Sequence, residues 1–122
     1  MAKVFSVFEF RLSPDMEAEE FERFVKEDLT KAPLPSGARM HFLKCDRDSQ
    51  GDLIGTYSHE IEYESMEVRD RYFPKEFESS EEFNQWWAEH GALWAKFHSM
   101  VDGRFLHYFE YVEWEGMSEP AE

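Results

Sequence analysis

The sequence predicts an α+β fold with the element order β-α-β-β-α-β and a four-stranded antiparallel sheet. Three observations carry that prediction. Val4 to Leu12 and Leu53 to Glu64 set aromatic and β-branched residues against polar ones at alternate places, the period of a strand. Phe83, Trp87, His90, Trp94, Phe97 and Val101 recur at alternating spacings of four and three, which puts them on one face of a helix. Proline, glycine and capping residues divide the chain where the periodicity changes.

The first strand, VFSVFEFRL, is apolar enough to be buried largely on both faces and ends at Ser13-Pro14. Ser13 is the expected cap of a helix with Pro14 in its first position and Asp15 and Glu17 in its first turn. That helix runs to about Lys31, buries Ala18, Phe21, Phe24, Val25 and Leu29, and is broken by Ala32-Pro33-Leu34-Pro35-Ser36-Gly37. Arg39 to Asp46 is the second strand, and Asp48 to Asp52 the polar loop of a hairpin. In the third strand Tyr57, His59, Ile61 and Tyr63 take one face, and Thr56, Ser58, Glu60 and Glu62 the other.

Ser65 caps a short helix, MEVRDRYF, stopped by Pro74. After a linker, Ser79 and Glu82 form the expected capping box of the long helix, which Asp102-Gly103 ends. Arg104 to Trp114 is the last strand, so residues 1–114 read as one domain and 115–122 as a disordered acidic tail. The order is that of a ferredoxin-like fold, with strands arranged 4-1-3-2. Its helices cover one sheet face, and the apolar side chains of strands one and four on the other call for a face-to-face homodimer.

Composition excludes several partners. With 27 acidic and 13 basic side chains among 122 residues the formal charge is −14, which repels nucleic acid and anionic membranes. No apolar run approaches the ~18 residues of a membrane span, and MAKVFSVFEF lacks the pattern of a signal peptide. Cys45 is the single cysteine, so no intrachain disulfide can form, and the expected location is the cytoplasm. Aromatic residues make up 17% of the chain, with 12 Phe, more than a core of this size requires; the surplus suits a pocket or a subunit interface.

The element order, the junction Glu62-Tyr63-Glu64-Ser65-Met66-Glu67-Val68-Arg69 and the histidine in the last helix resemble the dimeric α/β-barrel superfamily over residues 4 to 114. That group includes antibiotic-biosynthesis-type and haem-degrading monooxygenases and EthD-like, NIPSNAP-type and stress-responsive proteins. The resemblance implies a barrel formed by two sheets and, in some relatives, oxygenation without metal or flavin. In the haem-degrading relatives a histidine on the second main helix ligates iron, so haem on His90 is the alternative to the expectation of no cofactor.

The residues themselves leave His90 either lining a ligand or packed in a core, and Gly91 beside it making room either for a strand or for a ligand. If Phe105, His107, Phe109 and Tyr111 face the helices, His107 joins His59 and His90 around one volume, an assignment that a one-residue change of register reverses. On the pattern of the cofactor-free relatives, His59 or His107 would be the base, since only histidine titrates near neutrality unperturbed. On the same pattern Tyr57, Tyr63 and Tyr111 would orient the substrate between walls of Trp87, Trp94 and Phe97, and His90 would be a ligand contact. No H-x-H, C-x-x-C, H-E-x-x-H or EF-hand spacing occurs, so no metal site is expected.

Glu9 and Arg11 share one face of a buried strand and call for an ion pair within the chain or across the dimer, or for a substrate carboxylate on Arg11. Arg69 is expected to tie the short helix to carboxylates such as Glu62 or Asp70, while His41 and His98 carry no argument beyond exposed or edge positions. Two functions follow. One is a dimeric enzyme, a cofactor-independent monooxygenase or relative acting on an apolar or aromatic small molecule. The other is a non-catalytic ligand-binding or interaction module of the same fold.

Overall fold

The computed structural model describes residues 2–74, 78–103 and 106–114. The expected strand residues Arg104 and Phe105, part of the linker (75–77) and the acidic tail (115–122) lie outside the described residues. Strand β1 (Val4–Phe10) is central and antiparallel to both β3 (Leu53–Tyr63) and β4 (His107–Val112). Strand β2 (Ala38–Arg47) pairs with the outer side of β3, giving β2-β3-β1-β4, the expected order read from the other edge. The fold is α+β, with an open four-stranded antiparallel sheet and helices α1 (Ala18–Glu27), α2 (Met66–Tyr72), α3 (Glu81–His90) and α4 (Ala92–Met100).

Directly opposed residues share a face, so the register assigns the two sides of the sheet. Phe8 and Phe10 face the helices with His59 and Tyr57, and across β3 so do Phe42 and Met40. On β4 it is Tyr108, opposite Phe8, that shares this face; His107, Phe109 and Tyr111 oppose Glu9, Val7 and Phe5 on the other side. The β3 assignment therefore holds and the β4 assignment is reversed. His107 and Tyr111 lie across the sheet from His59, with Phe109 and Tyr111 42% and 53% exposed.

Three helix boundaries also differ from expectation. Ser13 does not cap α1: its amide donates to the Met100 carbonyl (3.0 Å) and its hydroxyl to the Val101 carbonyl (2.9 Å), beside a Leu12–Val101 bridge. The chain is held there by a tertiary tie, and α1 starts after Glu17 without a side-chain cap. Ala18 is exposed, whereas Phe21, Phe24 and Val25 are buried, followed by Leu29 in a 3₁₀ turn. At α3 the cap is Ser80, whose hydroxyl accepts from the Phe83 amide (3.1 Å), one residue beyond Ser79. Ser65 caps α2 as expected, accepting from Val68.

The long helix is two helices. Its break is at Gly91, whose amide donates to the Trp87 carbonyl at 2.7 Å. A Cβ on Gly91 would come within 2.7 Å of the Trp87 indole and collide with the Trp87 carbonyl, so the missing side chain makes room for its own helix rather than for a strand or a ligand. The break changes the phase of the stripe. Trp94, Phe97 and Val101 are buried, but Trp87 is 37% exposed and His90 lies outside.

Two buried clusters result. The larger joins Phe10, Phe21, Phe24, Leu29, Tyr57, Trp94 and Phe97 from sheet and helices. The smaller gathers Val4, Tyr63 and Tyr72. Each wholly buried Phe or Leu contributes about 1.5–3 kcal/mol by leaving water. Arg11 is exposed past the end of β1, and among the described residues neither it nor Glu9 forms the expected ion pair. No helix among the described residues is long and apolar enough to cross a membrane.

Candidate functional site

The two clusters do not merge, and a cavity of about 170 Å³ lies between them. Its floor is the sheet, through Phe8, Met40, His59, Ile61 and Tyr63. Tyr72 and Phe73 at the end of α2 close one side, and Phe83, Trp86 and Trp87 of α3 with Trp94 and His98 of α4 form the roof. The described lining includes no Asp, Glu, Lys or Arg.

His59 is 7% exposed and held by rings on several sides. Phe42 stacks on it at 4.8 Å between centroids, Trp94 at 5.7 Å and Phe8 at 5.8 Å, while Phe97 meets it edge-on at 5.4 Å. Its Nε2 lies 2.7 Å from the Met40 thioether sulfur. Burial, with the neighbouring His98 adding to it, pushes the His59 pKa down to about 3. The ring is therefore neutral at pH 7, and its hold on an abstracted proton is weak. His98 packs edge-on against Phe97 (5.5 Å) and beside Trp87 (6.3 Å), and burial lowers its pKa as well.

Tyr63 is buried on the cavity floor, and desolvation, only partly offset by Arg69, raises its pKa beyond the usual phenol range. It is a protonated phenol at all ordinary pH. Trp94 is 4% exposed, and the indole N–H groups of Trp94 and Trp86 are buried with no acceptor among the described residues. Such orphaned donors are unusual in a folded interior.

A polar frame fixes the α2 wall. The Arg69 guanidinium donates to the Phe73 carbonyl (2.8 Å), pairs with Asp70 (3.2 Å) and reaches Glu110 on β4 (3.0 Å). Asp70 is an expected partner; Glu62 instead meets Lys3 (3.8 Å) and His41 (3.5 Å). The Tyr72 hydroxyl donates to the Ser36 carbonyl at 2.6 Å, locking that ring against the loop before β2.

Of the sequence-predicted site, His59, Tyr63, Trp87 and Trp94 come together here. Phe97 is wholly buried behind the wall, against Phe10, Phe42 and His59. Tyr57 lies on the far side of the larger cluster; its hydroxyl donates to Glu22 (3.1 Å), and desolvation together with that carboxylate pushes its pKa up to about 12. His107 and Tyr111 are on the opposite sheet face.

His90 is exposed at the end of α3, 3.7 Å from Glu89, and is not part of the cavity lining. The haem alternative on His90 finds no support in this cavity, since the exposed ring lies outside its described lining. Among the described residues no group of three or more His, Cys, Asp or Glu could hold a metal ion.

Phe8, Met40, Trp86 and His98 are wall residues that the sequence reading missed. Phe8 lies directly opposite His59, and Met40 opposite Ile61, so an antiparallel pairing built outward from His59 would have found both. His98 follows Trp94 by one helical turn, which was a visible signal. Trp86 follows Phe83 by three residues and precedes His90 by four, a helical spacing as visible as that of Trp87. Comparison with known proteins matches no family model, and no curated protein or solved structure is significantly similar to the chain.

Proposed function

We propose that this chain binds a small apolar or aromatic molecule in the cavity beneath α3 and α4. One observation carries the reading: an aromatic cavity of about 170 Å³ where two core clusters would otherwise close on each other. The pocket is a partly open cleft, and clefts with mostly apolar, aromatic walls are the usual setting of small-molecule sites. Binding without catalysis is the better supported of the two functions. Oxygenation without a cofactor calls for a base with a pKa near the working pH, and the buried His59 has lost that property while His107 is on the other face.

The protomer is read as ferredoxin-like, on the succession β-α-β-β-α-β and the strand order. Phe109, Tyr111 and Leu43, exposed on the face without helices, support a homodimer closed sheet to sheet into an α/β barrel. The exposed free thiol of Cys45 suits the reducing cytoplasm.

Thermal-shift measurements with ethylbenzene test the binding reading. The wild type should melt higher with ligand, and Ala38→Leu, which fills the cavity from its β2 wall, should lose that gain while remaining folded by circular dichroism. Equal gains in both proteins would place the ligand elsewhere.

A further inference from the structure

We infer that His59 selects the ligand of this cleft through its Nδ1, which accepts a hydrogen bond from an uncharged aromatic donor of the phenol class. The inference rests on the binding reading and adds the chemistry of recognition to it.

The contact with Met40 decides which nitrogen is free. A thioether has no hydrogen to give, so the 2.7 Å contact between Nε2 and the Met40 sulfur is a hydrogen bond with the proton on Nε2. Nδ1 of the neutral ring is then a bare acceptor. It has no partner among the described residues, yet it is not one of their sealed, unpartnered nitrogens, which are those of the Trp86 and Trp94 indoles. His59 is 7% exposed and lies on the cleft floor, so the access left to Nδ1 is from the cleft. A donor arriving there with an apolar body satisfies the nitrogen and covers the aromatic walls in one step.

The other polar groups of the described lining are placed differently. The Tyr72 hydroxyl is taken up, donating to the Ser36 carbonyl and accepting from Arg71. His98 is exposed, where water serves its ring. Tyr63 keeps a hydroxyl without a protein partner, but it follows His59 by four residues on β3, about 13 Å along the strand, at the other end of the floor.

Charge narrows the class further. A protonated amine is also a donor, and a cation over the indole faces is the natural competitor in an aromatic site. The described lining has no carboxylate to balance one, and no lysine or arginine to balance an anion. The ligand is therefore neutral, and it stays so when bound, because the buried imidazole holds a proton only weakly.

The test titrates p-cresol, p-xylene, p-tolyl methyl ether and benzylammonium by calorimetry and follows the imidazole nitrogens in long-range ¹H–¹⁵N spectra. p-Cresol should bind several-fold to about tenfold more tightly than p-xylene, the worth of one neutral hydrogen bond. The ether, which keeps the oxygen without its hydrogen, should gain nothing over p-xylene, and among the probes p-cresol should move the His59 Nδ1 signal most. His59→Phe should erase the preference while still binding p-xylene, whereas Tyr63→Phe and His98→Phe should keep it, whatever their absolute affinity. If His59→Phe does not fold, the wild-type Nδ1 signal and the other two variants decide. Equal affinity for p-cresol and p-xylene, or a preference that disappears in Tyr63→Phe or His98→Phe while Nδ1 stays unmoved, overturns this inference and leaves the binding reading standing. Tightest binding by benzylammonium does the same. Binding of no probe overturns the binding reading itself.

Discussion

The imidazole of His59 and the indole of Trp94 lie nearly parallel, 18° apart in plane and 5.7 Å between centroids, with Phe42 stacked on His59 at 9°. A strand and a helix are thus joined through a histidine whose surroundings are almost entirely apolar. Protonating it would place a cation inside a desolvated ring stack, so its titration is coupled to folding.

The pH dependence follows from that coupling. The folded pKa of about 3 lies below the ordinary value of 6.5, so the unfolded chain takes up a proton first as pH falls. The stabilisation is complete above about pH 6.5 and is lost as pH falls toward the folded value, with a slope of up to about 1.4 kcal/mol per pH unit. His98, lowered by burial, adds in the same direction. Urea denaturation over about pH 4 to 7 should show wild type losing stability faster than His59→Phe, by close to one proton's worth. Parallel curves would mean that His59 ionises as easily folded as unfolded.

Replacing Gly91 with Ala separates helix propensity from packing. In an open helix the change stabilises by about 1 kcal/mol. Here the new Cβ meets the Trp87 indole at 2.7 Å, so the expected outcome is a loss of about 1–3 kcal/mol. A higher melting temperature for Gly91→Ala would show that the break in the helix is not imposed by Trp87.

Arg69→Met keeps much of the aliphatic stem while removing the donors to the Phe73 carbonyl and Glu110. The side chain is 17% exposed, and the expected loss is about 1.5–3 kcal/mol in chemical denaturation. Glu110→Gln, which leaves the Phe73 bond intact, should cost less. Equal losses would assign the whole effect to the Glu110 pair.

Sedimentation tests the proposed dimer. Wild type should run as a dimer at micromolar concentration, consistent with an interface above about 1,000 Å². Phe109→Glu, placing a charge on the uncovered sheet face, should give a folded monomer. A monomeric wild type would remove the sheet face as an interface.

Legibility in the sequence varied with the contrast between faces. On β3 the rows Tyr57, His59, Ile61, Tyr63 and Thr56, Ser58, Glu60, Glu62 differ so clearly in polarity that the inner face could be assigned. On β4 both rows carry aromatic or apolar residues, Tyr108 and Val112 against Phe109 and Tyr111, so alternation located a strand without orienting it. Gly91 was visible as an anomaly, but its cause lies in the side chain of Trp87, four residues earlier on its own helix. The choice between Ser79 and Ser80 as cap, and the diversion of Ser13 to the end of α4, depend on tertiary partners that local pattern does not encode. The cavity belongs to the same class, being a distance between two clusters rather than a property of any segment.

The central place of β1 has a consequence for the chain during its synthesis. β1 precedes every other strand, yet its two neighbours are β3 and β4, and Ser13 just beyond it waits for Val101, 88 residues further on. One edge of β1 thus stays without its partner until the chain has been made through Val112. Closing so long a loop before its contacts form is entropically costly, which slows folding and leaves apolar strand edges open meanwhile. The sheet is completed only after the last strand has left the ribosome, so a nascent chain truncated before β4 holds β1 half-paired and prone to associate with other chains.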